Sequence, residues 1–347
     1  MALAAEPGGS FAVVPVAREE YGGPWRRARP GDGLSAFVAG APVASERPIG
    51  VDQTHESVVV GERAIVKWLR RAGPGPSRAS ILLAHLAEVG FDRIPAPLGS
   101  LAWESPSGVS LSLALGDAYL PGARDGWERL VECCEAGDAS VGRRLGELVA
   151  GLHRALALPS SVIEQPIGSA GRKEVGRWRA EAEATLDDAV GLTADPRLTA
   201  WAPAIRAVLG SVDARSAVIQ PVHGDLHVGQ VLEWSGGLVV IDFDGNPTLS
   251  EAANSVRQPR ERDVAQMLTS LDLVGRVIEE RGGGDRSGWI ADVRAGFLDA
   301  TGPADEALLA AFAVEQECRE LVYAARFLPR WRYAPMAALG ARFNGPG

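Results

Sequence analysis

The sequence predicts an α+β protein of two lobes, a small β-rich N-terminal lobe and a larger, mainly helical C-terminal lobe. Its 347 residues are many for one compact unit and are typical of two packed lobes. Runs of β-branched residues broken by Gly and Pro fill the first third of the chain, whereas apolar residues at helical spacing fill most of the rest. We therefore expect an N-terminal lobe over 1–118, a connector over 119–127 and a C-terminal lobe over 128–347.

In the N-terminal lobe the pattern predicts strands around one helix. Strands are expected within three apolar runs, at 11–17, 57–69 and 109–120. Between the last two, SRASILLAHLAEVG (77–90) has apolar residues at helical spacing and ends in Gly, and the following IPAPLG is predicted to be a loop.

The C-terminal lobe is predicted to be helical with one β-rich insertion. Amphipathic helices are expected at 142–156, 173–190, 262–280, 288–300 and 305–328. The insertion is QPVHGDLHVGQVLEWSGGLVVIDFDGNP, residues 220–247, in which two His and three Asp stand among Gly and β-branched residues.

The composition excludes several function classes. A net charge of −9 without a long Lys/Arg cluster argues against nucleic-acid binding. Cys133, Cys134 and Cys318 suit neither a disulfide framework nor a zinc knuckle, which favours a reducing compartment. No apolar run approaches the roughly 20 residues of a membrane span, and the first ten residues lack the features of a signal peptide. We expect a cytoplasmic protein that does not bind membranes.

The β-rich insertion is predicted to form a hairpin with polar residues at both ends. VLEW and LVVIDF resemble strands, and the SGG between them suits a hairpin turn because Gly tolerates positive φ. Pairing of these strands would bring 223–230 beside 242–247. Two groups of carboxylates would then meet, which requires a compensating cation or a substrate that carries one.

The order of these side chains points to phosphoryl transfer. His223, Asp225 and Gln230 follow the layout of the protein-kinase catalytic loop H-R-D-x-x-x-x-N, and the DFDG at 242–245 stands where kinases have DFG. Turn chemistry alone would explain a single Asp-Gly pair. An H-x-x-x-H metal pair of His223 and His227 would need a helix, which Gly224 and Gly229 disfavour.

In these two motifs the chain resembles the aminoglycoside-phosphotransferase-like kinases, and within them the maltokinases and the bacterial glucosamine kinases. HGDLHVGQ and IDFDGNP carry the resemblance, and LPGARDGW, LGELVAGLHRAL and RDVAQMLTSLD extend it over about 57–332. The glucosamine kinases are the more similar group, because the maltokinases are longer and have DFEGEP in place of DFDGNP.

The resemblance implies a bilobal protein-kinase-like fold that binds ATP and Mg²⁺. In that fold Asp225 is the catalytic base, Gln230 and Asp242 are Mg²⁺ ligands, and His223 supports the loop. Residues 48–118 would form the ATP-covering sheet and helix, and 1–47 a reduced cap.

Lys67, in the strand-like AIVKWL, would contact the α- and β-phosphates of ATP. Only two of the 35 basic residues are Lys, so a Lys at this position is unexpected by chance. The alternative is an edge-strand Lys that reaches into solvent.

Two departures from the kinase pattern stand out. No G-x-G-x-x-G loop precedes Lys67, and the helix at 77–90 offers only Glu88, near its end, as a partner for that Lys. Arg262 and Asp263 follow the second motif, and they are expected either to brace it or to form an ion pair at a helix start.

The helix at 305–328 provides candidates for acceptor binding. At about 100° per residue, Glu315 lies at the border of the apolar face, where a half-buried carboxylate could meet an ammonium group, and Glu320 lies nearly opposite that face. Trp331, just after the helix, is a candidate for stacking on a sugar. Surface acids and a core Trp are the structural alternatives.

The function expected from the sequence is ATP-dependent phosphorylation of the 6-hydroxyl of D-glucosamine by a monomer. Maltose and aminoglycosides are the alternative acceptors, because the fold does not determine the substrate. A kinase-like nucleotide-binding protein without activity is the alternative of another class.

Overall fold

The computed structural model describes nine stretches of the chain. They are residues 2–5, 11–18, 24–41, 44–49, 56–106, 108–212, 216–235, 237–246 and 257–344.

The chain divides into two compact units. The first comprises Met1–Ala123, Ser160–Val162 and Val240–Asn254, and the second comprises Arg124–Pro159, Ile163–Val239 and Ser255–Gly347. The chain thus leaves the first unit inside the predicted connector and later returns to it for two short segments.

The first unit contains the strands of the N-terminal region and two helices. Its strands are β1 (Ala2–Ala5), β2 (Phe11–Val14), β3 (Val16–Ala17), β4 (Arg26–Arg27), β5 (Glu46–Pro48), β6 (Glu56–Val60), β7 (Ala64–Trp68), β8 (Arg71–Ala72), β9 (Pro97–Glu104) and β10 (Ser110–Ala118). Its helices are α1 (Leu34–Val38) and α2 (Arg78–Glu88). The strands and the helix predicted here are confirmed, although the run at 57–69 is a hairpin of two strands.

A five-stranded antiparallel sheet, in the order β5-β6-β7-β10-β9, is the main element of this unit. Strand β7 is central, with Lys67 opposite Ser57 on β6 and Leu115 on β10. Ala64, Val66 and Trp68 of β7 are buried, whereas the alternate residues are partly exposed. The alternation places Lys67 on the less buried face of a central strand, so it is not on a sheet edge.

Strand β9 corrects the prediction of a loop after α2. Pro97, Gly99 and a mostly exposed surface hide its strand character, since an edge strand that faces solvent lacks apolar alternation. Shifts in its register with β10 add further irregularity.

The second unit is mainly helical. Its helices are α3 (Gly126–Ala136), α4 (Val141–Leu156), α5 (Arg172–Thr193), α6 (Pro196–Gly210), α7 (Glu261–Glu280), α8 (Ser287–Thr301), α9 (Glu306–Phe327) and α10 (Tyr333–Phe343). Its strands are β11 (Arg124–Asp125), β12 (Gly168–Ala170), β13 (Ala217–Ile219), β14 (Val231–Trp234) and β15 (Gly237–Val240), with 3₁₀ turns at Val228–Gln230 and Pro329–Trp331. All five predicted helices are confirmed, and α3, α6 and α10 are additional.

Helix α7 forms the centre of this unit. It packs against α9, α8, α3 and α10, and most of its residues are buried. A hydrophobic core of residues from α5, α6, α9 and α10 lies beside it, with Trp178, Ile205 and Phe312 among its members. The polar residues of α7 are therefore held in fixed positions.

The helices and the cysteines bear on the predictions about membranes and disulfides. Every helix in the described ranges is too short or too polar to cross a bilayer. Cys133, Cys134 and Cys318 are buried free thiols.

Candidate active site

The first motif forms a loop of the second unit whose backbone is bound by one carboxylate. The amides of His223 and Gly224 each donate to Asp263 of α7, over 2.8 Å to Oδ2 and 2.8 Å to Oδ1. Gly224 has a φ of 84°, so the turn favours Gly at this position. One buried side chain thus fixes the start of the loop.

Two more side chains of α7 continue this row of acceptors. Gln266 Oε1 accepts from the Leu226 amide (3.0 Å), and Ser270 Oγ accepts from the Val228 amide (3.2 Å). Asp263, Gln266 and Ser270 are three and four residues apart, which places them on one face of the helix. The loop therefore lies along α7, bound through the amides of residues 223, 224, 226 and 228.

Asp263 is completely buried and also bonds to His153 Nε2 of α4, at 3.0 Å. Burial alone would raise the pKa of Asp263, but His153 and the loop amides hold it below the ordinary value. Asp263 braces the first motif, whereas the sequence suggested the second motif or an ion pair with Arg262.

Asp225, the predicted base, is half-buried in this loop. Its amide donates to Nδ1 of the fully buried His223, at 3.3 Å. This contact suits the supporting role predicted for His223. Gln230 ends the 3₁₀ turn that follows and donates its amide to the His227 carbonyl.

The geometry argues against the alternative metal pair of His223 and His227. Nδ1 of His227 accepts from the Gly229 amide at 3.1 Å, so both rings are bonded within their own loop. The intervening residues form one 3₁₀ turn and no α-helix. Over the described stretches, no three His, Cys, Asp or Glu side chains cluster so as to hold a metal ion.

The second motif lies in the first unit, where it meets Lys67. The Lys67 Nζ is 2.7 Å from Asp242 Oδ1 and also contacts the Asp244 carboxylate. Burial lowers the pKa of Lys67, but the charges of Asp244 and Asp242 outweigh it and raise the pKa above the ordinary value. Glu88 is engaged elsewhere, by the amide and hydroxyl of Ser161. The partner of Lys67 is therefore the second motif.

The backbone of the second motif is held in an unusual conformation. Strand β15 ends at Val240, so the predicted run to Phe243 is too long. Asp242 has a φ of 63°, rare for a residue with a side chain, while the Phe243 ring is buried and its carbonyl accepts from Arg78 Nη1 (2.8 Å). These anchors hold the Asp242 carboxylate toward Lys67.

Asp117 of β10 is a further carboxylate near this site that sequence reasoning missed. It pairs with Ile65, so it lies on the same face of the sheet as Lys67. Burial, more than the repulsion from Asp244, raises the pKa of Asp117 to about 6, against the attraction of Lys67. The sequence alone does not reveal the strand register that pairs Asp117 with Ile65.

Glu315 contradicts its prediction as a half-buried border residue. Its side chain is 1% exposed and accepts from Arg262 Nη1 (3.1 Å) and Arg319 Nε (3.0 Å). Burial would raise the pKa of Glu315, but the two guanidinium groups hold it below the ordinary value. Helix α9 packs on α5, α6, α7 and α10, so its buried surface is wider than one apolar face.

Glu320 and Trp331 lie together, with two aromatic residues that the sequence did not indicate. Half-buried Glu320 accepts from Gln316 Nε2 at 3.0 Å and bonds to Trp331, while burial raises the pKa of Glu320. The Trp331 ring lies 5.5 Å from that of Trp127 and 6.4 Å from that of Tyr333. A carboxylate beside clustered aromatic rings is a suitable surface for a sugar with a cationic substituent.

Comparisons with known proteins agree with this chemistry. The model of the phosphotransferase enzyme family matches residues 47–246. The chain is 38% identical to a glucosamine kinase of Streptacidiphilus jiangxiensis, over 94% of this chain and 84% of the relative. It is 34% identical to a glucosamine kinase of Mycolicibacterium smegmatis, over 95% and 92% of the two chains.

The fold agrees as well. A solved glucosamine kinase in complex with glucosamine, ADP and inorganic phosphate superposes with a TM-score of 0.83 at 34% identity, over 99% of this chain and 93% of that one. The predicted α+β kinase-like fold and the predicted phosphotransferase activity are thereby confirmed. The chain belongs to the phosphotransferase enzyme family.

Proposed function

We propose that the protein is an ATP-dependent glucosamine kinase that forms glucosamine 6-phosphate. The observation that carries this proposal is the 34% identity, over 99% of the chain, to a glucosamine kinase solved with glucosamine, ADP and inorganic phosphate. The two curated relatives of the same name support it. We propose that it acts as a monomer in the cytosol. Its proposed partners are small molecules alone.

Asp225 is the proposed base of an in-line transfer. Its carboxylate would accept the proton of the 6-hydroxyl as that oxygen attacks the γ-phosphorus and the bond to the β-phosphate oxygen breaks. Such a step depends on the position of the carboxylate, and hydrogen bonds to α7 fix the backbone on both sides of Asp225.

Lys67 is proposed to bind the α- and β-phosphates. It is held by Asp242 and Asp244 in this structure, and phosphate oxygens would replace one or both carboxylates as its partners. Its raised pKa keeps the ammonium charged for this exchange. The first unit, with the sheet over 48–118, would thus bind the nucleotide, and the second would supply the base.

Gln230 and Asp242, which the resemblance assigns to Mg²⁺, are the proposed ligands of that ion. Gln230 and Asp242 offer amide and carboxylate oxygens, and Mg²⁺ needs few protein ligands where phosphates complete its coordination. The Asp242 side chain is 40% exposed, so its carboxylate is accessible to a metal ion as well as to Lys67. When bound, Mg²⁺ would neutralise charge on the phosphates of ATP.

Glu320 is the proposed partner of the substrate ammonium, with Trp331 beside the sugar ring. Glu315 is unsuitable because two arginines already neutralise it in a buried position. Among the residues that the structure describes, Glu320 bonds to Gln316 and Trp331 and has no cationic partner. An ammonium group would therefore gain a charge-assisted hydrogen bond there.

A phosphorylation screen tests the proposed substrate. The purified chain with MgATP is offered glucosamine, glucose, maltose and a panel of aminoglycosides, and the position of the phosphate is read from phosphorus–proton couplings by NMR. We expect glucosamine to have the highest kcat/KM and its product to be the 6-phosphate. Preference for maltose or for an aminoglycoside would refute the proposal.

Asp225→Asn tests the proposed mechanism in the same assay. We expect the amide to lower kcat by about 100-fold or more, because general base catalysis contributes on that order. A kcat equal to that of the wild type would refute the assignment of Asp225 as base.

A further inference from the structure

Gln266 makes two hydrogen bonds that enclose Asp225. Its Oε1 accepts from the Leu226 amide at 3.0 Å, and its Nε2 donates to the Gly224 carbonyl at 3.3 Å. Leu226 and Gly224 are the residues on either side of Asp225 in the sequence. One primary amide thus binds both peptide groups next to the proposed base.

The chemistry of this contact requires a side chain like that of Gln. A primary amide offers an acceptor oxygen and a donor nitrogen side by side at its end, and the length of Gln is needed to span from α7 to both peptides. Gln266 is 5% exposed and lies between Asp263 and Ser270, whose bonds to the loop are to its amides alone. It is the member of the row that also fixes a carbonyl.

We propose that Gln266 is a positioning residue for catalysis, which sets the orientation of the Asp225 carboxylate through the two flanking peptides. This inference rests on the proposed role of Asp225 as base. Two fixed peptides determine the φ and ψ of the residue between them and hence the direction of the Cα–Cβ bond from which the carboxylate extends. Small displacements of a reacting group lower the rate strongly.

The role predicts a specific kinetic pattern for Gln266→Met. The substitution keeps length and approximate volume but removes both hydrogen bonds. We expect kcat to fall by between about tenfold and 100-fold, while the KM values for glucosamine and ATP stay within about twofold. Gln266→Asn, which keeps the amide but is too short to reach both peptides, should lower kcat in the same way, and it decides the question if the Met variant does not fold.

Thr269→Val is the matched control on the same helix. Thr269 is 2% exposed, and its Oγ1 makes no hydrogen bond within the part of the chain that the structure describes. The change is nearly isosteric and buried at similar depth, so kcat should stay within about twofold of the wild type. Amide hydrogen exchange gives a second readout, since the Leu226 amide should lose protection in Gln266→Met and keep it in Thr269→Val.

A double-mutant cycle separates this inference from the proposed function. If Gln266 acts through Asp225, then Gln266→Met should change the residual rate of Asp225→Asn by less than about twofold. If Gln266→Met lowers kcat in Asp225→Asn by the same factor as in the wild type, the role of Gln266 is overturned. The same holds if both Gln266 variants fold and keep the wild-type kcat while Asp225→Asn is inactive. Wild-type activity of Asp225→Asn would instead overturn the proposed base.

Discussion

At the scale of single residues, two glutamates five positions apart on α9 differ in their surroundings. Glu315 is buried between Arg262 and Arg319, and its negative charge is neutralised by these two guanidinium groups. Glu320 is half-buried beside Trp331, and no cationic side chain of the described stretches pairs with it. The first glutamate is therefore expected to matter for stability and the second for substrate binding.

Paired substitutions test this difference. Glu315→Gln should lower the free energy of unfolding by about 3 kcal/mol, because it leaves two half-buried guanidinium groups without their shared, buried carboxylate, and should leave the KM for glucosamine unchanged. Glu320→Gln should raise that KM by about tenfold or more through the loss of a charge-assisted hydrogen bond, with little effect on unfolding. Urea denaturation and steady-state kinetics measure the two effects, and the reverse pattern would contradict both assignments.

The pH dependence of the Glu315 effect follows from the direction of its pKa. Since the folded-state pKa lies below the ordinary 4.5, Glu315 contributes stability above that value and loses it as the pH falls through the folded pKa. The stability difference between wild type and Glu315→Gln should therefore be largest near neutral pH and shrink below pH 4.5. Unfolding curves over this range would show it, and a difference that grows in acid would refute the ion-pair argument.

How far the sequence predicts the site also differs from residue to residue. The positions of His223, Asp225, Gln230 and Asp242 follow from short local spacings, which a sequence displays directly. The partners of Lys67 cannot be inferred from local spacing. Asp244 lies 177 residues away from Lys67, and only the fold brings the two side chains together. Glu315 was misjudged because a helical wheel has one apolar face, whereas α9 has neighbours on several sides.

At the scale of elements, α4 and α8 approach closely through glycines. A Cβ on Gly142 would collide with the carbonyl oxygen of Val293, and one on Gly146 with that of Phe297. These glycines are four residues apart on one face of α4, as in small-residue contacts between helices. Their spacing in GRRLGELV was visible in the sequence, but the partner helix was not.

Substitution to Ala distinguishes such a contact from an exposed helical Gly. Gly146→Ala should destabilise the protein by about 2 kcal/mol, because the added methyl would also lie 2.7 Å from the Ala300 Cβ. Gly176→Ala on α5, with no heavy atom within 4 Å of its Cβ, should stabilise it by about 0.5–1 kcal/mol through helix propensity. Denaturant titrations of both variants provide the measurement, and equal effects would argue against the close approach of α4 and α8.

Elements with strong periodicity were predictable and short or exposed ones were not. The helices at 142–156 and 262–280 carry apolar residues on regular spacings over several turns, and both exist within a residue of the expected bounds. Strand β9 has a mostly exposed surface and contains Pro and Gly, so local pattern offers no signal for it.

At the scale of the whole molecule, the near absence of lysine makes the chain selective toward amine-reactive reagents. Lys67 and Lys173 are its only lysines. Lys173 is exposed on α5, whereas the side chain of Lys67 is 18% exposed and held by two carboxylates that raise its pKa. The raised pKa makes the unprotonated, reactive amine of Lys67 scarce.

Limited acetylation should therefore proceed in two stages. We expect Lys173 to react first without loss of kinase activity, and Lys67 to react later with inactivation that MgATP slows. Peptide mass mapping with parallel assays follows both stages, and Lys173→Arg provides a control that lacks the first. Inactivation that accompanies modification of Lys173 would contradict the assignment of Lys67 to the phosphates.

The burial of α7 affects the thermal inactivation of the enzyme. The backbone amides at 223, 224, 226 and 228 are bonded to a helix that is almost entirely enclosed by other helices of its unit. The loop cannot open alone without leaving a buried carboxylate and a buried amide unpaired, so its local opening is unfavourable. Thermal inactivation should consequently be a cooperative event that coincides with the unfolding of this unit, with little gradual decline before it.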